Sequence, residues 1–185
     1  MPPLVLLSVQ RGVLFRLMTT FTMRHDIECS EARFWELFFD NELQKRIYAE
    51  LGFPKWEVLE MKDTGNEVFR VVRAIPKLDV PAAVAKLLGP GFGYTEEGRF
   101  DRASKVFRFN VKPSTLADKL RNEGSVKVEP KGGDRCTRIV EIVAEAKIFG
   151  VGGMIEKMTE TTHRVGWEKS VRYFDAEAKK TPTAG

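Results

Sequence analysis

The feature that most constrains this chain lies in its C-terminal third. A strand-like run over 135–148 enters Phe149-Gly150-Val151-Gly152-Gly153 and continues as an unbroken helical pattern over 154–179. At ~1.5 Å per residue, a helix of about 26 residues is roughly 39 Å long, enough to cross a small domain. A glycine hinge joining a long strand to so long a helix predicts a sheet that wraps around that helix, with room for a cavity between them.

Composition narrows the rest. At 185 residues and 43% hydrophobic content, one domain with a real core is expected, and no disulfide or metal is needed to make up for lack of size. The 30 basic and 26 acidic residues are interspersed and leave a formal charge of only +4, a mixed solvated surface that argues against nucleic acid as a partner. Cys29 and Cys136 stand in no metal-ligand or redox spacing and suit a reducing cytoplasm, although a single bridge between them stays open.

In residues 1–18 the arginines Arg11 and Arg16 follow a short apolar run instead of preceding it. That is neither a secretory signal nor a span. A poorly ordered extension is expected, with Met18 or Met23 as the natural start; a peripheral membrane anchor and a packing segment are the alternatives. The domain is expected over 19–180, with a disordered tail over 181–185.

Along the chain, Phe21, Met23, His25 and Ile27 alternate with polar residues as in a half-buried strand. Ser30 and Asn41 are candidate caps for two short helices, the second closing at Gly52. Three hairpins follow, turning at 63–66, at 102–104 and at 130–134. Two insertions interrupt them. Residues 79–93 carry Val84, Leu87 and Leu88 on a short helix with a glycine-rich exit, readable as a mobile apolar flap or as a plug for one end of the sheet. Residues 113–121 read as one or two further helical turns.

This order, one strand, two short helices, about six antiparallel strands, a glycine hinge and a long helix, is similar to the START-like superfamily, also called SRPBCC or helix-grip proteins. The stretch Ala146-Lys147-Ile148-Phe149-Gly150-Val151-Gly152-Gly153-Met154-Ile155-Glu156 resembles the strand-to-helix junction of an uncharacterised bacterial branch and of related sterol-transfer domains. The resemblance implies an α+β helix-grip fold, with a curved antiparallel sheet of about six to seven strands around the C-terminal helix. It also implies a hydrophobic ligand, a lipid or sterol-like molecule, held between sheet and helix.

The residues offer little chemistry of their own. His25 falls in the apolar phase of its strand and reads as a core histidine, while His163 has no histidine or cysteine one turn away. No metal set, cofactor or catalytic residue is expected. The glycine hinge lacks the spacing and the parallel context of a nucleotide loop. Glu156 reads as structural, a carboxylate in the first turn of the last helix with Gly153 as its cap. Arg70 and Arg73 point to opposite faces of their strand, so one of them reaches the concave side unless a bulge or a strand-end position leaves it in water.

The last helix shows Ile155, Met158, Thr162 and Val165 in one stripe and Trp167, Val171 and Phe174 in another, dividing at Gly166. The first stripe is expected to lid the cavity. For the second, either Gly166 permits a bend, or the stripe packs under the N-terminal helices, or it faces a partner. Expected ligand contacts are Phe69, Val71, Arg73, Phe92, Tyr94, Phe107, Phe109, Met154, Met158 and Thr162. Transient membrane contact is expected through Val84, Leu87, Leu88 and Phe92.

Two rival functions make different demands. A cyclase- or hydratase-type enzyme, using an inward His25, Tyr94 or Arg73, requires titratable groups that converge in the cavity. An interaction module of the chaperone-activator kind requires a filled cavity and an exposed Trp167, Val171 and Phe174 stripe.

Overall fold

Alternation in the first strand decides which way the sheet faces. In β1 (Thr19–Ile27) the apolar phase Phe21, Met23 and Ile27 is buried together with His25, and the intervening residues are solvated. The computed structural model describes residues 18–180; apart from Met18, the expected N-terminal extension and the tail over 181–185 lie outside the described residues. After β1 come α1 (Glu31–Phe39), α2 (Asn41–Glu50), β2 (Lys55–Asp63), β3 (Glu67–Ile75), α3 (Ala82–Leu88), β4 (Tyr94–Asp101), β5 (Val106–Pro113), β6 (Leu120–Pro130), β7 (Cys136–Ala146) and α4 (Gly152–Ala178). The strands form one antiparallel sheet of seven in the order β1-β7-β6-β5-β4-β3-β2. This is the α+β helix-grip arrangement that the chain order predicts.

Local chemistry accounts for the two helices after β1. The Ser30 hydroxyl accepts from the Arg33 amide at 3.3 Å and starts α1. The second helix is capped by Asp40, whose carboxylate accepts from the amides of Glu42 and Leu43, and not by Asn41, which is its first residue. The segment expected as a second helical insertion, 113–121, is a turn between β5 and β6 with Leu116 at φ 58°, and it forms no helix.

The concave face is filled unevenly. At one end α1 sets Phe34, Trp35 and Phe38 against Phe100 and Phe107 of the sheet and Phe174 of α4. Phe34 and Phe174 stack with centroids 5.1 Å apart, and Trp35 lies 4.3 Å from Phe100. The Phe34–Phe174 spacing falls in the range of favourable aromatic pairs, worth about 0.5–1.5 kcal/mol beyond area burial. Phe174, the second stripe's last residue, is therefore core, and Trp167 packs against the same cluster.

The first half of α4 turns a different face to the sheet from the one expected. Its buried positions are Gly152 and Glu156, continued by partly buried His163 and Trp167 and by buried Ser170 and Phe174. At 100° per residue these share one side of a single continuous helix. Of the residues expected to form the lid, Met154 and Val165 are each 47% exposed and Thr162 is exposed, while Ile155 and Met158 are partly buried. The sheet-facing stripe escaped the hydrophobic period because a glutamate and a histidine occupy it. Glu156 is structural as expected, but by another route: its carboxylate accepts from the Ala146 amide at 2.9 Å and from the Thr19 hydroxyl at 3.0 Å, tying the helix start to β7 and β1.

Candidate functional site

Cross-strand registers lay the concave floor out in rows. The deepest row, Val68, Phe100, Phe107, Val126, Val140 and Met23, is wholly buried under the aromatic cluster. The next runs Arg70, Gly98, Phe109, Gly124, Ile142 and Phe21. A β-carbon on Gly98 would meet the Phe107 ring at 2.0 Å, and one on Gly124 would meet the Phe109 ring at 2.8 Å. Both phenylalanines thus lie over glycine, which keeps their rings low on the sheet. The row nearest the open end is Val72, Glu96, Val111, Asn122 and Ala144, and its central three residues are only partly covered.

Two polar groups stand on this open floor. Arg70, 5% exposed, reaches inward from β3; its guanidinium donates to the Phe38 carbonyl at 3.3 Å and to Glu96 Oε1 at 3.4 Å, with the Phe38 and Phe107 rings 5.1 and 5.2 Å away. Burial raises the Glu96 pKa, and Arg70 opposes the rise through its charge and hydrogen bond. Tyr48 and Tyr94 stand close enough to feel the Glu96 charge, and burial pushes both phenols up. Tyr48 stacks on Trp56 at 5.2 Å, and Phe53 flanks Tyr94 at 6.4 Å. The second group is Asn122, whose amide donates to Nε2 of His163 at 3.1 Å, so that ring carries its proton on Nδ1. Burial lowers the His163 pKa to about 4. Asn122 Oδ1 and Arg70 Nε are buried with no hydrogen-bond partner among the described residues.

The expected ligand contacts divide accordingly. Tyr94, Phe107 and Phe109 are on the concave face, although Phe107 belongs to the filled end. Phe69, Val71 and Arg73 are on the opposite, convex face, where Phe69 lies 4.5 Å from the Arg99 guanidinium and Arg73 pairs with Glu57 at 3.5 Å. Both faces of β3 carry apolar residues, so alternation left its phase open. The inward arginine is Arg70, a role assigned above to Arg73. Phe92 lines a separate hollow of about 510 Å³ beside α3, with Ile75, Pro76, Leu78 and Ala85. Of the four residues expected at a membrane, Val84 and Leu88 are buried, while Leu87 and Phe92 are partly exposed.

Sequence reasoning passed over Glu96, Asn122 and Tyr48. The register Arg70↔Gly98 and Val72↔Glu96 puts Glu96 on the concave side of its strand. Among the described residues no three His, Cys, Asp or Glu side chains gather to hold a metal. Nor, among the described residues, is any helix long and apolar enough to cross a membrane.

A family model described as a protein of unknown function, DUF2505, matches residues 22–176. The chain belongs to this family. Among curated proteins, none matches its sequence. Solved structures resemble this DUF2505 chain in fold. The aromatase/cyclase ZhuI from Streptomyces sp. R1128 is 16% identical with a TM-score of 0.63, over 91% of this chain and 98% of that one. Norcoclaurine synthase from Thalictrum flavum, in complex with dopamine and hydroxybenzaldehyde, is 15% identical with a TM-score of 0.63, over 97% and 100%. A START superfamily protein from Mycobacterium smegmatis is 14% identical with a TM-score of 0.53, over 83% and 97%. At these identities the likeness establishes the START-like fold.

Proposed function

We propose that this DUF2505 chain binds a hydrophobic small molecule, of lipid or sterol-like class, in the open half of the concave face beneath the first half of α4. The observation that carries this reading is the unequal filling of that face. Aromatic side chains fill one end, whereas at the other the Glu96, Val111 and Asn122 row stays partly exposed, with the Asn122 oxygen unpartnered. Largely apolar walls with a few convergent polar groups are what a small-molecule site requires. An apolar body would lie over Phe109 and Val111, and a hydroxyl on the ligand would donate to Asn122 Oδ1. The bound dopamine and hydroxybenzaldehyde of the norcoclaurine synthase structure show that a protein of this fold can hold aromatic molecules.

Native mass spectrometry of the purified protein tests this directly, since co-purified ligand should appear as an added mass. Val111→Trp should abolish the adduct, or weaken binding of the extracted ligand at least about tenfold, by filling the floor. A clean apo mass for both proteins after gentle handling would count against the site.

A second reading, an acid–base enzyme of the cyclase or hydratase kind, is favoured by the convergence of Arg70, Glu96, Tyr48 and Tyr94. A carboxyl with a raised pKa next to two phenols can exchange a proton with a bound molecule. Glu96→Gln should then leave ligand affinity within about threefold and lower turnover of the extracted ligand by about 10²-fold or more, the usual scale of a lost general acid or base. Equal turnover in the variant would remove Glu96 from that role. The interaction-module reading required an exposed aromatic stripe, whereas Phe174 is buried in the core and Trp167 is partly buried against it.

A further inference from the structure

At the open end of the sheet, three connections meet side by side: the β3–β4 segment with α3, the β5–β6 turn, and the β7–α4 hinge. Hydrogen bonds stitch them into one surface. The Ser114 amide donates to the Gly93 carbonyl at 2.8 Å, the Thr115 hydroxyl to the Leu88 carbonyl at 2.9 Å, and the Lys147 amide to the Lys119 carbonyl at 2.8 Å. Phe149 projects from this surface fully exposed, at 105% of its reference area, next to Gly150 at φ 80°. A phenylalanine wholly in water gains nothing in the isolated chain, and its burial elsewhere would be favourable.

The charge around it has one sign in excess. The three connections carry four exposed lysines, Lys77, Lys86, Lys119 and Lys147, and two exposed aspartates, Asp79 and Asp118. Glu145, which pairs with Lys147 at 3.5 Å, is itself largely covered. The Lys147–Lys119 backbone bond holds two of these cations beside the hinge that bears Phe149.

We infer that this end face docks on the surface of an anionic lipid bilayer, with Phe149 entering the headgroup region and the lysines meeting the lipid charges. An aromatic anchor beside Lys119 and Lys147, on a face with further exposed lysines at Lys77 and Lys86, combines the two terms that peripheral membrane binding uses, apolar insertion and attraction to anionic headgroups. The inference rests on the surface alone and holds whether or not the concave cleft takes a ligand.

The test is co-sedimentation with vesicles of phosphatidylcholine and with vesicles of phosphatidylcholine mixed with phosphatidylserine, for the wild type, Phe149→Asp and the Lys119→Glu/Lys147→Glu double variant. Circular dichroism verifies that each variant is folded, and native mass spectrometry follows ligand retention separately. The wild type should bind the serine-containing vesicles at least about tenfold more tightly than the neutral ones, and more weakly as salt is added. Phe149→Asp should weaken binding at least about tenfold, and the lysine variant should lose the preference for anionic vesicles. Wild-type protein that sediments with neither vesicle, or Phe149→Asp that sediments like the wild type, would overturn the inference. A concentration-dependent dimer abolished by Phe149→Asp, without vesicle binding, would overturn it in favour of contact between two copies of the chain.

Discussion

Acidification from pH 7 to pH 4 should destabilise this fold by about 3–5 kcal/mol, with most of the loss traceable to two histidines. His25 and His163 both have pKa values lowered to about 4 in the folded chain, against 6.5 for an unperturbed imidazole. For His25 the main cause is burial, and the Arg138 charge adds to it, against the exposed Glu168 carboxylate 3.4 Å from its Nε2; for His163 the cause is burial. Between pH 6.5 and 4 the unfolded chain therefore binds more protons than the folded one, and stability falls as pH falls. A full shift of this size corresponds to about 3 kcal/mol for buried His25. His163 is partly exposed, and solvent reduces its share.

Glu96 works in the opposite direction, because a raised carboxyl pKa makes its protonation favour the folded state as pH drops. Asp26, Asp63 and Asp101, whose pKa values are lowered chiefly by hydrogen bonds, add their loss at the acid end of the range. Urea melts from pH 7 to pH 4 should show the decline in the wild type and a markedly flatter profile in the His25→Gln/His163→Gln double variant. Parallel profiles for the two proteins would show that the histidines are not responsible.

The same residues show where sequence reasoning succeeded and where it failed. The order of elements, the single sheet and the long C-terminal helix were legible because they rest on period and turn chemistry, which are local. His25 was placed correctly inside because β1 has one clean apolar phase. The candidate site was mostly illegible, because its polar members occupy positions where a hydrophobic pattern expects apolar ones. Glu96 and Asn122 sit on strands whose two faces are similarly mixed, and only the cross-strand register reveals that they share a row. In β3 the apolar residues Phe69 and Val71 belong to the convex face, while a buried arginine stands on the concave one. In α4 the sheet-facing stripe begins with Glu156 and His163, so the softer methionine and threonine stripe beside it was mistaken for the lid.

Arg138→Ala should destabilise the protein by about 3 kcal/mol, whereas Arg138→Met should cost no more than about 1 kcal/mol. Arg138 is fully buried in β7, opposite His25, and among the described residues no carboxylate accepts a hydrogen bond from its guanidinium. Its Nη1 donates to the Ser170 hydroxyl at 2.9 Å and its Nη2 to the Trp167 carbonyl at 2.6 Å, while the Trp167 and Phe174 rings lie 4.8 and 5.6 Å from it. Burial lowers its pKa to about 9, so it remains charged at neutral pH. This cation is held by a helix carbonyl, a hydroxyl and two aromatic faces, and it pins the second half of α4 to β7 just past Gly166. Truncation to alanine removes these contacts and opens a void between Trp167 and Phe174. Methionine fills most of that void and removes the desolvation cost of the charge, which offsets the lost hydrogen bonds. Chemical denaturation of the three proteins measures the difference, and equal stability of the alanine variant and the wild type would refute the pinning role. The charge itself has a separate readout: because Arg138 is one of two causes holding the His25 pKa down, Arg138→Met should raise that pKa in an NMR titration, while burial keeps it below 6.5. An unchanged His25 titration in the methionine variant would leave burial as the whole cause of its shift, and would remove Arg138 from the account of acid sensitivity given above.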